Sequence, residues 1–371
     1  MRIAMFGHKR IPSREGGIEI VVEELSTRMS KMGHEVTCFN RKGNHIAGSN
    51  YRTYTGSSYK GIKLVTVPTI DRKGLAAVTS SFFGAFLAAF GKYDVVHIHA
   101  EGPCVMLWLP KLLGKRCVVT IHGLDHKRVK WKGFASWYIK LGEKVAVKFA
   151  DEIIVLSKNV QQYFEKTYSR KTIYIPNGIN KPSKFEANII KDRFGLEKNS
   201  YILFLGRLVR EKGVQYLIEA FKKVNTDKKL VIAGASSDSE DFVKELHLNA
   251  KDDDRIIFTG FVQGVELDEL YSNAYVYVLP SDLEGMPLSL LEAMSYGNCC
   301  LVSSISECTE VVEDKAVIFK KKEVADLQEK LQCLCDSDSL VEIYKNSSSD
   351  FICKKYRWDD IVDKILELYR R

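Results

Sequence analysis

The chain has 371 residues, 45% of them hydrophobic and 27% charged, with a formal net charge of +8. Its length exceeds what one hydrophobic core usually organises, so two domains of ordinary size are expected in a soluble globular protein. Nine cysteines lack the paired spacing of a zinc site or redox couple, no signal-type apolar region follows Arg2, and the most apolar stretch, Leu75 to Phe90, carries Thr79, Ser80, Ser81 and Gly84 and falls short of the roughly 20 residues that span a bilayer.

Arg2 to Phe6 reads as a first strand. His8, Lys9 and Arg10 follow it, and these can meet an anionic acceptor such as a pyrophosphate-linked lipid or form an ordinary basic loop. Next comes a helical pattern from Glu19 to Met32, with Val22, Leu25, Met29 and Met32 on one face and Gly33 as its stop. Gly16 and Gly17 precede that helix, so their amides can approach a phosphate or an acceptor closely. The pair is not the G-x-G-x-x-G of dinucleotide folds, which counts against a dehydrogenase.

Strands continue at Glu35 to Phe39, Lys63 to Val67, Val95 to His99, Cys117 to His122, Ile153 to Leu156 and Thr172 to Ile175. Alternate side chains of a strand point to opposite faces, so at most one of His97 and His99 is expected to face a cleft, and His99 with Glu101 is read as an acceptor contact. His122 sits at a strand end before Gly123; taken alone, such a histidine is more often structural.

Residues 1 to 182 hold 29 Lys and Arg against 13 Asp and Glu, whereas the remainder is acidic. Much of the excess lies between Asp125 and Phe149, where Lys127, Arg128, Lys130, Lys132, Lys140, Lys144 and Lys148 are interleaved with Trp131, Phe134, Trp137, Tyr138 and Ile139. This pattern suits an anionic membrane surface, with a plain solvated helix face and a nucleic-acid patch as the alternatives; no nucleic-acid motif accompanies the charge. Asn177 to Pro182 is turn-rich and marks a hinge.

In the second half, strands at Tyr201 to Leu205, Leu230 to Ala233, Arg255 to Thr259, Tyr275 to Leu279, Cys300 to Ser303 and Val317 to Phe319 alternate with helical patterns. Two doubly wound parallel sheets follow from this alternation. After the Tyr201 strand, the loop Gly206 to Gly213 places Arg207 and Lys212 where ligands bind in such sheets, outside the carboxyl ends of the strands. There the planar Arg207 fork can grip two phosphate oxygens and Lys212 can add a mobile point charge, or both can be solvated loop charges. Between Ser281 and Gly297, Pro287 fits the first helical position, so Glu284, Gly285 and Met286 form the entering loop and Leu288 to Ser295 the helix body. The amides of Met286, Leu288 and Ser289 would then meet phosphate or sugar hydroxyls at the positive end of the dipole. Glu292, one turn past Leu288, can accept both hydrogens of a vicinal diol such as a ribose, or simply face solvent. Its apolar surround, Leu288, Leu290, Leu291, Ala293 and Met294, argues for a partner.

GRLVREKG followed by EGMPLSLLEAM resembles the donor-binding signature of glycosyltransferase family 4, retaining sugar-nucleotide transferases of GT-B fold. The similarity runs over nearly the whole chain and includes the Ile175 to Ile179 turn, Thr120 to Gly123 and the glycine-rich start. The segment GHKRIPSREGGIEIVVEEL is similar to bacterial rhamnosyltransferases of polysaccharide assembly, although His8-Lys9-Arg10 and Ser13-Arg14-Glu15 depart from the subgroup pattern.

The resemblance implies two Rossmann-like domains facing across a cleft that closes about the Asn177 hinge. They are an acceptor domain at 1–182 and a nucleotide-sugar domain at 183–354, with a helix at 355–371 crossing back to the first. It implies a catalytic set of His122, which contacts the transferring sugar, Arg207, Lys212 and Glu284, and a donor set of Gly16, Gly17, Asn177, Gly206, Arg207, Lys212, Gly285, Met286, Pro287, Leu288 and Glu292. His8, His99 and Glu101 would serve the acceptor. The expected activity is transfer of a hexose or deoxyhexose from a UDP-, dTDP- or GDP-linked donor to a lipid-linked saccharide, in bacterial capsule, exopolysaccharide or cell-wall polysaccharide synthesis. The enzyme would be cytoplasmic and peripheral on the inner face of the plasma membrane. No metal cofactor is implied, since the cationic side chains replace the divalent ion. An epimerase of the same architecture and a non-catalytic sugar-nucleotide binder are the alternatives.

Overall fold

The computed structural model describes residues 1–43, 54–70, 72, 74–127, 133–235 and 240–371. The chain divides into two compact units, Met1–Gly178 with Trp358–Arg371, and Ile179–Arg357. Both edges differ from the turn-based boundaries, and backbone pairing is the reason. The Ile179 amide donates to the Tyr356 carbonyl at 2.7 Å, and Ile179 bridges Arg357 in parallel, so both segments are clipped into the second unit.

The first unit is built on an eight-stranded sheet of β1 (Arg2–Phe6), β2 (Glu35–Arg41), β3 (Ser58–Tyr59), β4 (Ile62–Val67), β5 (Val95–His99), β6 (Arg116–Ile121), β7 (Glu152–Val155) and β8 (Ile173–Tyr174), in the order β3-β4-β2-β1-β5-β6-β7-β8. All pairs are parallel except β3 with β4, a short edge pair too small for the strand pattern to reveal. Ile3, Ala4, Met5 and Phe6 are all buried, as expected of a parallel strand covered on both faces. The first helix, Gly17–Lys31, starts two residues before the expected Glu19.

The C-terminal helix Trp358–Arg370 completes this unit. It buries Trp358, Ile361, Val362, Ile365, Leu366, Leu368 and Tyr369, each large apolar side chain contributing roughly 1.5–3 kcal/mol. The Arg116 guanidinium donates to the Leu368 carbonyl at 2.7 Å and ties its far end to β6.

The second unit carries β9 (Tyr201–Leu205), β10 (Lys229–Ala233), β11 (Ile256–Gly260), β12 (Val276–Leu279), β13 (Cys299–Ser303) and β14 (Val317–Phe319), all parallel, in the order β11-β10-β9-β12-β13-β14. The strand order reverses between β9 and β12, which makes that junction the place where an open α/β sheet receives a ligand. Among the described residues, no helix is long and apolar enough to cross a membrane.

Candidate active site

The loops leaving β9 and β12 meet at the reversal point of the second sheet. Gly213 ends the β9 loop at φ 71°, where a side chain would be strained, and a Cβ there would stand 1.9 Å from the Pro280 carbonyl oxygen. The Asp282 amide donates to the Glu211 carbonyl at 2.8 Å, so the two loops are stitched together. Within this junction Lys212 Nζ donates to Glu284 Oε1 at 2.6 Å, and the Ser281 hydroxyl donates to the same oxygen at 2.6 Å. The Lys212 and Glu284 side chains are 14% and 9% exposed. Lys212 is therefore not the mobile point charge expected from its loop position; it is held by Glu284, 72 residues away in sequence. Arg207 is half-buried on the same loop. The Gly206 amide donates to the Ala233 carbonyl at 3.0 Å and so anchors the start of the loop.

The helix Leu288–Ser295 has the expected bounds, but Pro287 stands one residue outside it as the cap, with φ −75° and ψ 100°. Its carbonyl accepts from the Leu290 and Leu291 amides at 3.1 and 3.2 Å, which leaves Leu288 and Ser289 as the two helix-opening positions whose amides have no intrahelical acceptor. Gly285, Met286, Pro287 and Leu288 are all buried.

Glu292 is half-buried one turn on and accepts from the Tyr271 hydroxyl at 3.1 Å, which settles it as a partnered carboxylate and not a solvated one. Burial and then the Glu292 charge push the Tyr271 phenol well up. Tyr277 donates to the Ser289 hydroxyl at 2.9 Å, fixing the helix start against β12. Ser281, Tyr271 and Tyr277 escaped the sequence reading. Tyr277 and Tyr271 resemble core aromatics in a linear sequence, and only their hydroxyl partners distinguish them.

The first unit has an equivalent reversal between β1 and β5, and histidines gather there. Gly7, at φ 107°, lets β1 end against β5: a Cβ would lie 2.0 Å from the His99 carbonyl oxygen. His8 is buried, its Nε2 donating to Asn40 Oδ1 at 3.0 Å, and burial lowers its pKa to about 4. A neutral buried ring cannot serve as the cation proposed for an anionic acceptor.

His97 and His99 do not lie on opposite faces as expected. Residues two apart in a strand share a face, and their ring centroids are 4.2 Å apart. His97 is fully bonded, to the Tyr369 hydroxyl at 2.6 Å and the Thr120 hydroxyl at 2.7 Å, with its pKa lowered to about 3 by burial. His99 is also fully buried and its Nδ1 lies 3.0 Å from His122 Nε2, one of the two donating. It therefore acts on His122 and does not reach an acceptor.

Glu101 is likewise withdrawn from the acceptor role. It is 0% exposed, follows Ala100 in the strained left-handed region at φ 76°, and its Oε2 accepts from the Asp125 amide at 2.9 Å. Burial, then the charges of Asp125 and Glu143, push its carboxyl well above the ordinary range. Glu143 is also 0% exposed. Burial pushes it up, but hydrogen bonds from His126 and from the Tyr168 hydroxyl at 2.8 Å outweigh that, with Tyr163 adding a third at 3.0 Å, and hold it below the ordinary range.

Ligand-type atoms of Glu101, His126 and Glu143 all lie within 4.8 Å of one another. His126 Nδ1 and Glu143 Oε1 are 2.6 Å apart, a close ion-pair contact and too short for two ligands of one ion. The two buried carboxyls are therefore pushed in opposite directions, Glu101 up and Glu143 down, and Glu101 braces the turn after His122 through the Asp125 amide.

Of the remaining expected residues, Asn177 is 3% exposed, and the space a Cβ at Gly16 would take holds Glu19 Oε2, at 2.4 Å. Glu19 Oε1 accepts from the Lys9 amide at 2.8 Å, so a carboxylate occupies the approach to Gly16 and Gly17. Arg128, Lys130, Trp131 and Lys132 lie outside the described residues.

Comparison with known proteins agrees with this construction. A family model for glycosyl transferases group 1 matches residues 186–342, and one for Glycosyltransferase Family 4 matches residues 15–181. The chain is 26% identical over 395 residues to an uncharacterized glycosyltransferase of Methanocaldococcus jannaschii, covering 100% of this chain and 98% of that protein. It is 28% identical over 295 residues to the Escherichia coli UDP-Gal:alpha-D-GlcNAc-diphosphoundecaprenol alpha-1,3-galactosyltransferase, covering 75% of each. Among solved structures, Anabaena HepE in complex with UDP-glucose superimposes with a TM-score of 0.78 at 17% identity, over 99% of this chain and 98% of that one. The chain belongs to the family 4 glycosyltransferases and has their GT-B fold.

Proposed function

We propose that this glycosyltransferase moves a hexose or deoxyhexose from a nucleoside diphosphate, with UDP, dTDP and GDP as the candidate carriers, to a lipid-linked saccharide with retention at the anomeric carbon. Bacterial capsule, exopolysaccharide or cell-wall polysaccharide synthesis is the setting such an acceptor implies, and the cytoplasmic face of the plasma membrane is where it is met. The observation that carries the reading is the Lys212–Glu284 pair at the β9/β12 reversal, with Arg207 on the same loop and Glu292 one turn into the adjoining helix. The galactosyltransferase activity of the Escherichia coli relative and the UDP-glucose bound by the Anabaena protein support it.

In this reading the donor diphosphate replaces Glu284 as the anion facing Lys212. Glu284 is then released to accept from a hydroxyl of the transferring sugar. As the glycosidic bond breaks, negative charge grows on the leaving diphosphate, where Arg207, Lys212 and the Leu288 and Ser289 amides stabilise it. A phosphate oxygen takes the acceptor proton, so Glu284 positions the sugar and is not the base. His122 keeps the catalytic role that the family resemblance implies, its ring oriented within the first unit by His99. Glu292, held by Tyr271, accepts from the ribose diol.

A donor panel tests the reading: purified protein incubated with UDP-, dTDP- and GDP-sugars, with and without lipid-linked acceptor, followed by anomeric analysis of the product. Release of nucleoside diphosphate only with acceptor, and a product of retained configuration, is expected. Turnover of donor without acceptor would favour an epimerase, and binding without any release a sensor.

Two further outcomes follow from the same site. Glu292→Ala is expected to weaken donor affinity about 10- to 100-fold by calorimetry, the loss of a charged hydrogen-bond partner. Activity is also expected to survive EDTA, because side-chain cations face the diphosphate; loss of activity restored by a divalent ion would refute that part.

A further inference from the structure

The helix Leu75–Phe90 is built inside out. Its buried residues are Ser80, Ser81, Gly84, Ala85, Ala88 and Ala89, small side chains that let it lie close on the sheet. A Cβ at Gly84 would stand 3.2 Å from the Phe6 ring of β1. Its large apolar residues face outward instead: Phe82, Phe86 and Phe90 are 46%, 45% and 63% exposed, and Leu75, Phe83 and Leu87 are exposed beside them. A helix that packs a core and meets water reverses this arrangement, and a contiguous exposed patch of this kind marks an interaction surface.

Two neighbouring elements extend the patch. The helix Trp108–Leu112 packs against Leu75–Phe90 and exposes Trp108 and Leu112. The helix Phe134–Phe149 packs next to it and exposes Phe134 and Trp137, whose rings lie 5.4 Å apart.

Charge on these helices has one sign. Leu75–Phe90 and Trp108–Leu112 contain no acidic residue, and the single one in Phe134–Phe149 is the fully buried Glu143. Lys140, Lys144 and Lys148 are exposed at a spacing of four, forming a stripe that continues from Trp137. Of the acids flanking these helices, Asp151 and Asp94 are paired with cations, Lys111 at 2.5 Å and Arg2 at 2.8 Å, and Asp71 lies outside the described residues.

We infer that this face rests in the plane of an anionic lipid bilayer, with Phe82, Phe86 and Phe90 at the acyl boundary and Lys140, Lys144 and Lys148 among the headgroups. Outward aromatics supply burial, and the lysines meet the negative surface potential. A second copy of the chain is the poorer occupant, because a two-fold interface would bring two like-charged lysine stripes together. The inference rests on the transferase reading only for its purpose, which is delivery of the enzyme to a lipid-linked acceptor.

The test is flotation of the full chain with vesicles of phosphatidylcholine containing 30% phosphatidylglycerol, and with phosphatidylcholine alone. Calorimetry with the panel of UDP-, dTDP- and GDP-sugars and light scattering are run on the same preparations. Wild type is expected to float with the anionic vesicles. The variants F82S/F86S/F90S and K140E/K144E/K148E should each lose about tenfold or more of the partition, with unchanged donor binding. Failure of wild type to float would overturn the inference, as would undiminished flotation of the Phe variant. A wild-type dimer that the Phe variant dissociates would also overturn it. Flotation that holds while no donor binds would leave this surface in place and remove the transferase reading of the second unit.

Discussion

Lys212→Ala is expected to lower turnover by about 10²- to 10³-fold, the usual consequence of removing one preorganised donor to a developing anion. Arg207→Ala should do the same. The two variants will differ in stability, because Lys212 is tied to Glu284 at 2.6 Å with both side chains largely buried. Removing the lysine leaves that carboxylate buried beside the Ser281 hydroxyl without its cation, which costs about 3 kcal/mol.

The double variant K212A/E284Q separates the two effects. Neutralising the stranded carboxylate is expected to return most of the melting temperature while turnover stays low. Recovery of turnover together with stability would mean that Lys212 serves the fold and not the diphosphate. Full turnover in both Arg207→Ala and Lys212→Ala would exclude the proposed clamp altogether. Steady-state kinetics with thermal denaturation of the same samples decides between these.

Glu143→Gln is expected to destabilise the first unit by about 3–5 kcal/mol, whereas Glu101→Gln, a few ångströms away, should be neutral or stabilising at pH 8. Their environments drive this contrast. Glu143 accepts from the Tyr163 and Tyr168 hydroxyls and lies 2.6 Å from His126 Nδ1, so its ionised form is favoured and its folded pKa lies below the ordinary value. Stability from such a group is present above the unfolded pKa and is lost as pH falls through the folded one.

Glu101 has the opposite sign. Burial and the adjacent negative charges raise its folded pKa well above 4.5, so the folded chain binds the proton more tightly than the unfolded one. Its contribution is fully present below about pH 4.5 and declines as pH rises toward the raised value. Glutamine at 101 mimics the protonated acid and removes that decline, so urea denaturation of E101Q from pH 5 to 8 should give a flatter profile than wild type. A steeper profile, or a loss for E101Q as large as that for E143Q, would rule out these opposite shifts at Glu101 and Glu143.

How much of this was legible in the sequence can be followed residue by residue. Runs such as Tyr201–Leu205 and Val95–His99 sit in the sheets with the bounds their residues imply, because strands buried on both faces read as short, largely apolar runs of strand length. The helix Leu288–Ser295 was equally legible from Pro287, although the proline caps it from outside. Short-range information ended there. The amides of Gly16 and Gly17 are free in the sequence to approach a phosphate or an acceptor, yet the Glu19 carboxylate stands against Gly16, and nothing local in the sequence records that competition.

The chain on its own thus determined two doubly wound sheets, the family, and Arg207, Lys212, Glu284 and Glu292 as the residues to watch, since each of these follows from period, turn chemistry or motif. Tertiary structure alone decided which charges are available. It joined Lys212 to Glu284 and Glu292 to Tyr271, sank His8, His99 and Glu101 beyond contact with a ligand, and turned the phenylalanines of Leu75–Phe90 outward. Burial and pairing are properties of groups distant in sequence, and the free energy of an ionisable side chain is set by whichever of them it meets.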